Sequence, residues 1–474
     1  MVSTQFATHA SPKTITGEQA ELASHYFRIA PQHISYPNNG LFKPDFPASE
    51  FETWQEEYKN RAPAPLSLYV HLPFCQNLCY FCSCNKTITH QEGAVTKYLD
   101  HLKKEISRRA LDVGEQRPIT RMHWGGGTPS YLDNAETTRL MHTLASHFNL
   151  LADETREYSI EIDPRFTDLT AMALLKGLGF NHISIGIHDF DPLVQRAINR
   201  VQAFKKVAEL VNSIRAHGFE TVTFDMIYGL PHQDSWTISE TLKKVMELEP
   251  DRIAYRAYTH APNVFSAQYG IDESALPSSE QKIEFSSLIH TTLQALGYVN
   301  IGVDHFVLAK NIPTRNSTAE ATRRAHLLNM PNDLLGLGVS AISHIGDYFL
   351  QNENSLESYY SRIAQDEMPV ERGLKLSEDD KIRRFIILNF TLHLSLNFAE
   401  LNSRFGIDFQ RDFAAELLSL GDLQIQGLIE ISAHDIKITA KGRPFLRTVC
   451  CYFDAHLHSQ CAEKFAYVNN VPTV

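Results

Sequence analysis

The sequence of 474 residues contains no apolar run long enough to cross a bilayer. Its first residues do not show the basic start and apolar core of a signal peptide, so we expect a cytoplasmic protein without membrane contacts. Basic residues are also in deficit, because 44 Lys and Arg stand against 55 Asp and Glu, for a net charge of −11. Since proteins bind nucleic acid by neutralising its phosphates with Lys and Arg, this balance argues against nucleic acid as the main partner.

Cysteine is scarce, with 7 residues in the whole chain. So low a content in so long a chain excludes the small disulfide-rich secreted domains. We expect Cys450, Cys451 and Cys461 to be reduced thiols of the core. The other four cysteines lie within ten residues of one another, at Cys75, Cys79, Cys82 and Cys84. This local concentration is the strongest functional signal in the sequence.

The four cysteines follow an alternating apolar run at residues 66–72, which is typical of a strand. They therefore occupy the loop at its carboxyl end, where α/β sheets bind substrates and cofactors. A zinc site usually brings two separated cysteine pairs, and no second pair follows Cys82. The spacing Cys75-x3-Cys79-x2-Cys82 instead suits a cubane iron–sulfur cluster with one iron left open. Packing of four inert thiols is the remaining alternative.

Downstream, short apolar runs alternate with amphipathic segments, which indicates repeated βα units. The predicted strands lie at residues 66–72, 119–124, 159–162, 182–187, 221–227 and 252–257. The predicted helices between them lie at residues 95–109, 135–148, 170–178, 205–216 and 236–248. Six such units form a parallel sheet with right-handed crossovers that curls toward a barrel. The fold class is therefore α/β.

The pattern divides the chain into three regions. Residues 1–60 form an N-terminal arm and strap, and residues 61–369 contain the barrel with a flanking substrate-side segment. Within that segment we expect a helix at 279–296, a strand at 298–303 and a glycine-rich turn at 334–343. Residues 370–474 show helices at 378–390, 398–405 and 409–420, with a two-stranded wing at 428–432 and 435–439. Because this region carries 12 basic and 13 acidic residues, we interpret its winged-helix outline as a lid rather than a DNA reader.

Polar groups follow several of the predicted strands. The run from Gly125 to Pro129 can bring backbone N–H groups close to a bound molecule, although a glycine triplet is usually only a tight turn. Glu161 alternates with Ile160 and Ile162, so it points into the barrel, where it needs either a salt bridge or a ligand. The same reasoning applies to Asp225 and Arg200.

At its cysteines the chain resembles the radical S-adenosylmethionine (SAM) enzymes, which carry the pattern C-x3-C-x2-C. Within them it is most similar to the oxygen-independent coproporphyrinogen III oxidases. The matching stretches are Tyr69-Val-His-Leu-Pro-Phe-Cys75, Cys79-Tyr-Phe-Cys-Ser-Cys-Asn-Lys86 and His123-Trp-Gly-Gly-Gly-Thr-Pro129. The resemblance extends from about residue 35 to residue 454.

This resemblance implies a partial (β/α)6 radical SAM barrel with a [4Fe-4S] cluster on Cys75, Cys79 and Cys82. It implies two bound SAM molecules. The first is contacted by Tyr69, Gly126, Glu161 and Ile342, and the second by Phe81, Gly127, Thr128, His188, Arg200, Asp225 and Thr259. Cys84 lines this region without binding iron. The implied reaction is decarboxylation of coproporphyrinogen III to protoporphyrinogen IX by a monomer reduced by a flavodoxin or ferredoxin.

Three places depart from the family pattern. His188 replaces a glutamine, Gln32 replaces an arginine, and residues 324–330 form a shorter and unlike segment. All three lie on the substrate and second-cofactor side, so two alternatives stay open. One is a related enzyme that acts on another tetrapyrrole or transfers a methyl group. The other is a non-catalytic haem-binding or haem-delivery protein.

Overall fold

The structure of the protein is a computed structural model that describes residues 36–44, 46, 50, 53–56, 64–114, 116–311 and 333–457. The predicted arm at residues 1–34, the segment 324–330 and Cys461 lie outside the described residues. Cys450 is a buried free thiol, as expected. Cys451 is disulfide-bonded, so the expectation of a reduced thiol is wrong there.

Six parallel strands form the centre of the fold, and each pairs with the next along the chain. These barrel strands are Leu66–Leu72, Pro118–Gly126, Glu157–Ile162, His182–His188, Thr221–Tyr228 and Arg252–Ala257. The helices between them are Ala94–Val113, Asn134–His147, Ala171–Gly177, Pro192–Ala197, Phe204–Ala216 and Ser235–Leu248. This arrangement confirms the predicted α/β class and the six βα units.

Side-chain alternation orients each strand between the helix layer and the barrel interior. In Glu157–Ile162, the residues Tyr158, Ile160 and Ile162 are buried, while the intervening residues keep partial exposure. The buried set packs in one apolar core with the inner faces of the helices. The intervening set, which includes Glu161, faces the interior, so the carboxyl ends of the strands bring polar groups together there.

The sheet continues beyond the barrel on both sides. Arg252–Ala257 pairs antiparallel with His305–Leu308, which pairs with Tyr298–Asn300, so the strand predicted at 298–303 is shorter than expected and a second strand follows it. On the other side Leu66–Leu72 pairs in parallel with Asp333–Leu337. The strands Ile342–Ile345, Tyr348–Asn352, Val370–Lys375 and Lys43–Pro44 follow in antiparallel order.

The glycine-rich turn expected at residues 334–343 is therefore wrong for most of its length. Asp333–Leu337 is a strand, and the chain turns only between it and the strand Ile342–Ile345. A Cβ atom on Gly336 would lie 2.5 Å from the carbonyl oxygen of Ile342, so glycine is needed for the close approach of these two strands. The glycines serve strand packing rather than a long turn.

The C-terminal region has a separate apolar core that extends from Phe385 to Phe453 and includes Tyr36 and Ile283. Its elements are the helices Glu378–His393, Phe398–Phe405, Phe409–Asp412, Ala414–Ser419, Gly421–Ile425 and Leu446–Cys451, with the strands Ser395–Asn397, Ile429–Ile431 and Asp435–Ile438. The single helix expected at 409–420 is broken at Phe413, whose ring packs against those of Phe409 and Phe453.

The remaining helices, Ser279–Ala295 and Leu356–Ala364, pack on the barrel. The side chain of Tyr36 donates a 2.6 Å hydrogen bond to Asp380 at the start of the C-terminal region. Among all helices in the described ranges, none has both the length and the apolar composition needed to traverse a bilayer.

Candidate active site

The cysteine loop leaves the first barrel strand at its carboxyl end, as the sequence predicts. Cys75 and Cys79 are buried, Cys82 is partly buried, and all three line one cavity of about 500 Å³. A volume of this size is typical of small-molecule and cofactor sites.

His71 and Tyr69 fix the base of this loop. His71 Nε2 donates to the carbonyl oxygen of Asn85 at 3.0 Å, and the Tyr69 hydroxyl lies 3.0 Å from His71 Nδ1. Burial lowers the pKa of His71 to about 4, so the ring is neutral and Nδ1 accepts from the tyrosine. Tyr69 also stacks on the ring of His123, with 6.0 Å between centroids. Its contacts thus tie the first two barrel strands together beneath the loop.

The Gly125-Gly-Gly segment meets the cysteine loop directly. A Cβ on Gly126, where φ is +114°, would lie 2.6 Å from His71 Cε1, and a Cβ on Gly127 would lie 2.5 Å from the carbonyl oxygen of Pro73. Thr128, the next residue, places its hydroxyl oxygen 3.4 Å from Cys75 Sγ. These glycines are therefore required by packing against the loop, in addition to any contact with a bound molecule.

Two guanidinium groups point at Cys79. Arg165 Nη2 lies 3.5 Å and Arg200 Nη1 lies 3.6 Å from its sulfur, within donor range. Asp163 holds both arginines, with contacts of 2.7 Å to Arg165 and 2.9 Å to Arg200. Burial acts to raise the pKa of Asp163, but Arg200 and Arg165 outweigh it and lower the pKa to about 2. The carboxylate therefore stays charged and keeps both donors aimed at the thiol.

Cys82 and Cys84 have opposite proton affinities. A hydrogen bond from the Cys84 thiol and the nearby Lys86 ammonium lower the pKa of Cys82, although burial opposes them. The same hydrogen bond raises the pKa of Cys84, whose side chain is exposed. Because the thiolate is the metal-binding form, Cys82 is the better prepared ligand of the two. The ligand set of Cys75, Cys79 and Cys82 without Cys84 remains a prediction.

The donor set fits an iron–sulfur cubane better than a single ion. Within the described parts of the chain, no three His, Cys, Asp or Glu side chains are arranged to hold one metal ion. A cubane accepts one thiolate at each of three separate irons, so three thiols around a shared cavity satisfy it. Cys75, Cys79 and Cys82 would hold such a cluster, with the two guanidinium donors on Cys79 as its outer support.

Glu161 and His123 form a polar pair on neighbouring strands. His123 Nε2 donates to the Glu161 carboxylate at 3.1 Å, and Ser159 lies 2.7 Å from His123 Nδ1. Burial acts to raise the pKa of Glu161, but the His123 hydrogen bond and the charge of Arg256 outweigh it and lower the pKa. Glu161 is therefore a carboxylate whose second oxygen can accept from a ligand in the cavity.

His188 ends the fourth barrel strand in the left-handed region, at φ +66°. Its ring lies edge-on to Phe81, with 4.5 Å between centroids, and its Nδ1 is buried without a hydrogen-bond partner among the described residues. Burial and the nearby charge of Arg200 lower its pKa well below the ordinary value. The imidazole is therefore neutral and keeps one unpaired ring nitrogen.

Most of the predicted site residues line this cavity. Beside the three cysteines it is lined by Phe81, Cys84, Gly126, Gly127, Thr128, Glu161, His188, Arg200, Asp225 and Thr259. Tyr69 and Ile342 are not among the lining residues. Ile342 packs instead beside an apolar cluster of Phe42, Phe349 and Leu376. The cofactor contacts assigned to these two residues remain predictions.

Sequence reasoning missed several charged residues that line the same cavity. They are Asp163, Arg165, Arg256, Asp304 and Arg447. Asp163 and Arg165 directly follow the strand that carries Glu161, so their position at the carboxyl end of a barrel strand could have identified them as site residues. Arg447 belongs to the helix Leu446–Cys451 of the C-terminal region, and nothing in its local sequence indicates that it reaches the barrel.

Comparisons with known proteins show the family of the chain. The model of the radical SAM superfamily matches residues 69–245, and that of the HemN C-terminal domain matches residues 376–445. The oxygen-independent coproporphyrinogen III oxidase of Salmonella typhimurium is 39% identical over 442 residues, which cover 93% of this chain and 95% of that protein. The enzyme of the same name from Pseudomonas aeruginosa is 37% identical over 453 residues, which cover 95% and 98%.

A solved structure extends the similarity to the fold. Coproporphyrinogen III oxidase (HemN) from Escherichia coli, described as a radical SAM enzyme, superimposes with a TM-score of 0.83 at 38% sequence identity. The match covers 90% of this chain and 98% of that one. It includes both the barrel and the C-terminal region.

Proposed function

The chain belongs to the oxygen-independent coproporphyrinogen III oxidases of the radical SAM superfamily, and on that premise we propose how its own residues carry out the family's reaction. The enzyme is a radical SAM oxidoreductase that converts two propionate side chains of coproporphyrinogen III to vinyl groups, giving protoporphyrinogen IX. The single observation that carries this function is the 39% identity over 93% of the chain to enzymes of that name.

When bound, the cluster and SAM supply the one-electron chemistry that removes a hydrogen atom from the β-carbon of a propionate, after which CO2 and an electron are lost. The protein positions the cluster, the cofactor and the substrate. Cys75, Cys79 and Cys82 bind the cluster, and the pair Arg165 and Arg200 steadies Cys79. Residues of the barrel and of the C-terminal region both line the cavity in which the substrate would react.

Two SAM molecules are part of this proposal. We propose that Glu161 and Gly126 contact the first and that Phe81, His188 and Asp225 contact the second. All five residues line the cavity. We further propose a cytoplasmic monomer, reduced by a flavodoxin or ferredoxin. The regions 1–60, 61–369 and 370–474 serve as arm, barrel and lid.

The test of the function is the product formed by the anaerobically reconstituted protein. With SAM, a reductant and coproporphyrinogen III, we expect protoporphyrinogen IX and CO2, detected by mass spectrometry after oxidation of the porphyrinogens. A methylated tetrapyrrole would support the related-enzyme alternative. Porphyrin binding without SAM turnover would support the haem-delivery alternative.

Glu161→Gln should weaken the binding of SAM without loss of iron. The change keeps the shape of the side chain but removes the charge that His123 stabilises. A hydrogen bond to a charged group contributes about 1.5–3 kcal/mol, which corresponds to at least a tenfold rise in the Kd for SAM. Equilibrium dialysis with labelled SAM checks the affinity, and iron analysis checks the cluster. An unchanged Kd would remove Glu161 from the site.

His188→Gln should leave most of the conversion of coproporphyrinogen III intact. Because the His188 ring is neutral, it offers one donor and one acceptor, as an amide does. We also expect no change in SAM affinity from protonation of this residue between pH 6.5 and 8, since burial and the charge of Arg200 hold its pKa well below its ordinary value. The measurement is product formation and SAM affinity across that pH range. A wild type that cleaves SAM but converts substrate poorly, and that is rescued by His188→Gln, would contradict this expectation.

A further inference from the structure

Two arginines of the cavity have guanidinium groups without hydrogen bonds. Of the Lys and Arg side chains that line it, Lys86, Arg165 and Arg200 donate to protein oxygens. Arg256 and Arg447 form no side-chain hydrogen bond to any described residue, and each has only one loose ion pair. Their donors are therefore available to a ligand.

Each of these arginines lies beside an acid but too far from it to form a hydrogen bond. Arg256 Nη1 lies 3.8 Å from Asp225, and Arg447 Nη2 lies 3.9 Å from Asp304. Both distances exceed those of hydrogen bonds, whereas the two arginines on Asp163 approach it to 2.7 and 2.9 Å. Their side chains also keep access to solvent, with 58% of Arg256 and 25% of Arg447 exposed.

The arginines come from opposite sides of the junction between the barrel and the C-terminal region. Arg256 stands near the carboxyl end of the sixth barrel strand, and Arg447 stands on the helix Leu446–Cys451. The positive charges of both arginines act to lower the pKa of Asp304, so this acid lies close enough to interact with each of them. A ligand that engaged both guanidinium groups would therefore bridge the two regions.

The chemistry of the substrate requires such groups. Coproporphyrinogen III carries four propionates and the product retains two, so at least two carboxylates remain unreacted at either decarboxylation. Planar guanidinium groups bind carboxylates with paired hydrogen bonds. Because two propionates survive both steps, an anchor made of two arginines can find two carboxylates at each of them.

We propose that Arg256 and Arg447 bind the carboxylates of two unreacting propionates and so hold the tetrapyrrole across the junction of barrel and lid. This inference rests on the proposed function. The anchor also explains why the C-terminal region contributes a charged side chain to the cavity.

The anchor can be tested with coproporphyrin III, the stable oxidised form of the substrate, by fluorescence titration of the reconstituted holoenzyme. Arg256→Gln and Arg447→Gln should each weaken its binding about tenfold, which is the effect of losing a hydrogen bond to a charged group at a partly exposed site. Binding of the tetramethyl ester, which lacks the carboxylates, should not change in either variant. Binding of SAM should not change in Arg447→Gln, whose one ion pair among the described residues is with Asp304. During turnover both variants should release more of the intermediate that keeps three propionates.

Arg443→Gln is the matched control, because Arg443 lies one turn before Arg447 on the same segment but does not line the main cavity. Unchanged coproporphyrin III affinity in Arg256→Gln and Arg447→Gln, an equal loss in Arg443→Gln, or a loss confined to SAM would overturn the anchor. If Arg447→Gln fails to fold, Arg256→Gln alone decides. If the wild type binds coproporphyrin III through these arginines yet forms no protoporphyrinogen IX, the proposed function fails and the anchor stands.

Discussion

Replacing Cys75, Cys79 or Cys82 by Ala should bleach the protein and abolish its activity, whereas the reconstituted wild type should be brown and hold about four irons per chain. Each of the three thiols lines the same cavity, where each would bind one iron of the cubane. With two thiolates left, the cluster has too few protein bonds to persist. Iron analysis and the visible absorption of each variant check this result.

Cys84→Ala is the control for this series. Cys84 lines the cavity two residues beyond Cys82, but its raised pKa keeps it a thiol that donates to Cys82. We therefore expect the variant to keep most of its iron, with a weaker hold on Cys82 as the only local change. A Cys84 variant without any cluster would show that the ligand assignment is wrong.

The parts of the fold that the sequence predicts well are those with strong local periodicity. The strands Leu66–Leu72 and Arg252–Ala257 and the helix Phe398–Phe405 have the predicted bounds, because their apolar residues alternate or recur without interruption. The cysteine loop could also be predicted, since its spacing is a property of one short segment. Its position at the end of a strand follows from the same local pattern.

The errors arise where a residue is used for a distant contact. Leu334 to Leu337 have the glycine content of a turn, but pairing with the first barrel strand, far away in sequence, makes them a strand. Similarly, packing of Phe413 on Phe453 breaks a helix whose local pattern is continuous. Tertiary contacts override local preference in both places, and one sequence does not reveal them.

The charged part of the site was missed for the same reason. Arg200 and Arg165 lie 35 positions apart in the chain, and their meeting on Cys79 depends on three separate loops at the carboxyl ends of the strands. The sequence indicated an inward Arg200 but predicted a cofactor contact, not a bond to a cluster ligand. The contact with Asp163 shows that Arg200 has a structural partner as well. Asp163 thereby connects the barrel to Cys79, which we propose as a cluster ligand.

Asp163→Asn should lower the free energy of unfolding of the protein by about 3 kcal/mol and make its iron more easily removed. Asp163 is 4% exposed and is the shared partner of Arg165 and Arg200, so the change leaves two buried guanidinium charges without a carboxylate. Removing one partner of a buried ion pair typically costs 3–5 kcal/mol. Because the two arginines also donate to Cys79, we expect them to shift and expose this ligand. Thermal unfolding measures the first effect, and the rate of iron loss to a chelator at a temperature where the variant is folded measures the second.

Asp168→Asn is the matched control for Asp163→Asn, since Asp168 is an exposed aspartate five residues further along that accepts a hydrogen bond from the Thr170 backbone at 3.0 Å. An asparagine oxygen can accept the same bond, so this variant should unfold and lose iron as the wild type does. If Asp163→Asn were less stable but lost iron at the wild-type rate, the arginines would support the barrel alone. If it matched the control in both measurements, the carboxylate would have no part in holding either arginine on Cys79. We expect a loss of both stability and iron, because the buried charge of Asp163 stabilises the fold and also positions the two arginines on Cys79.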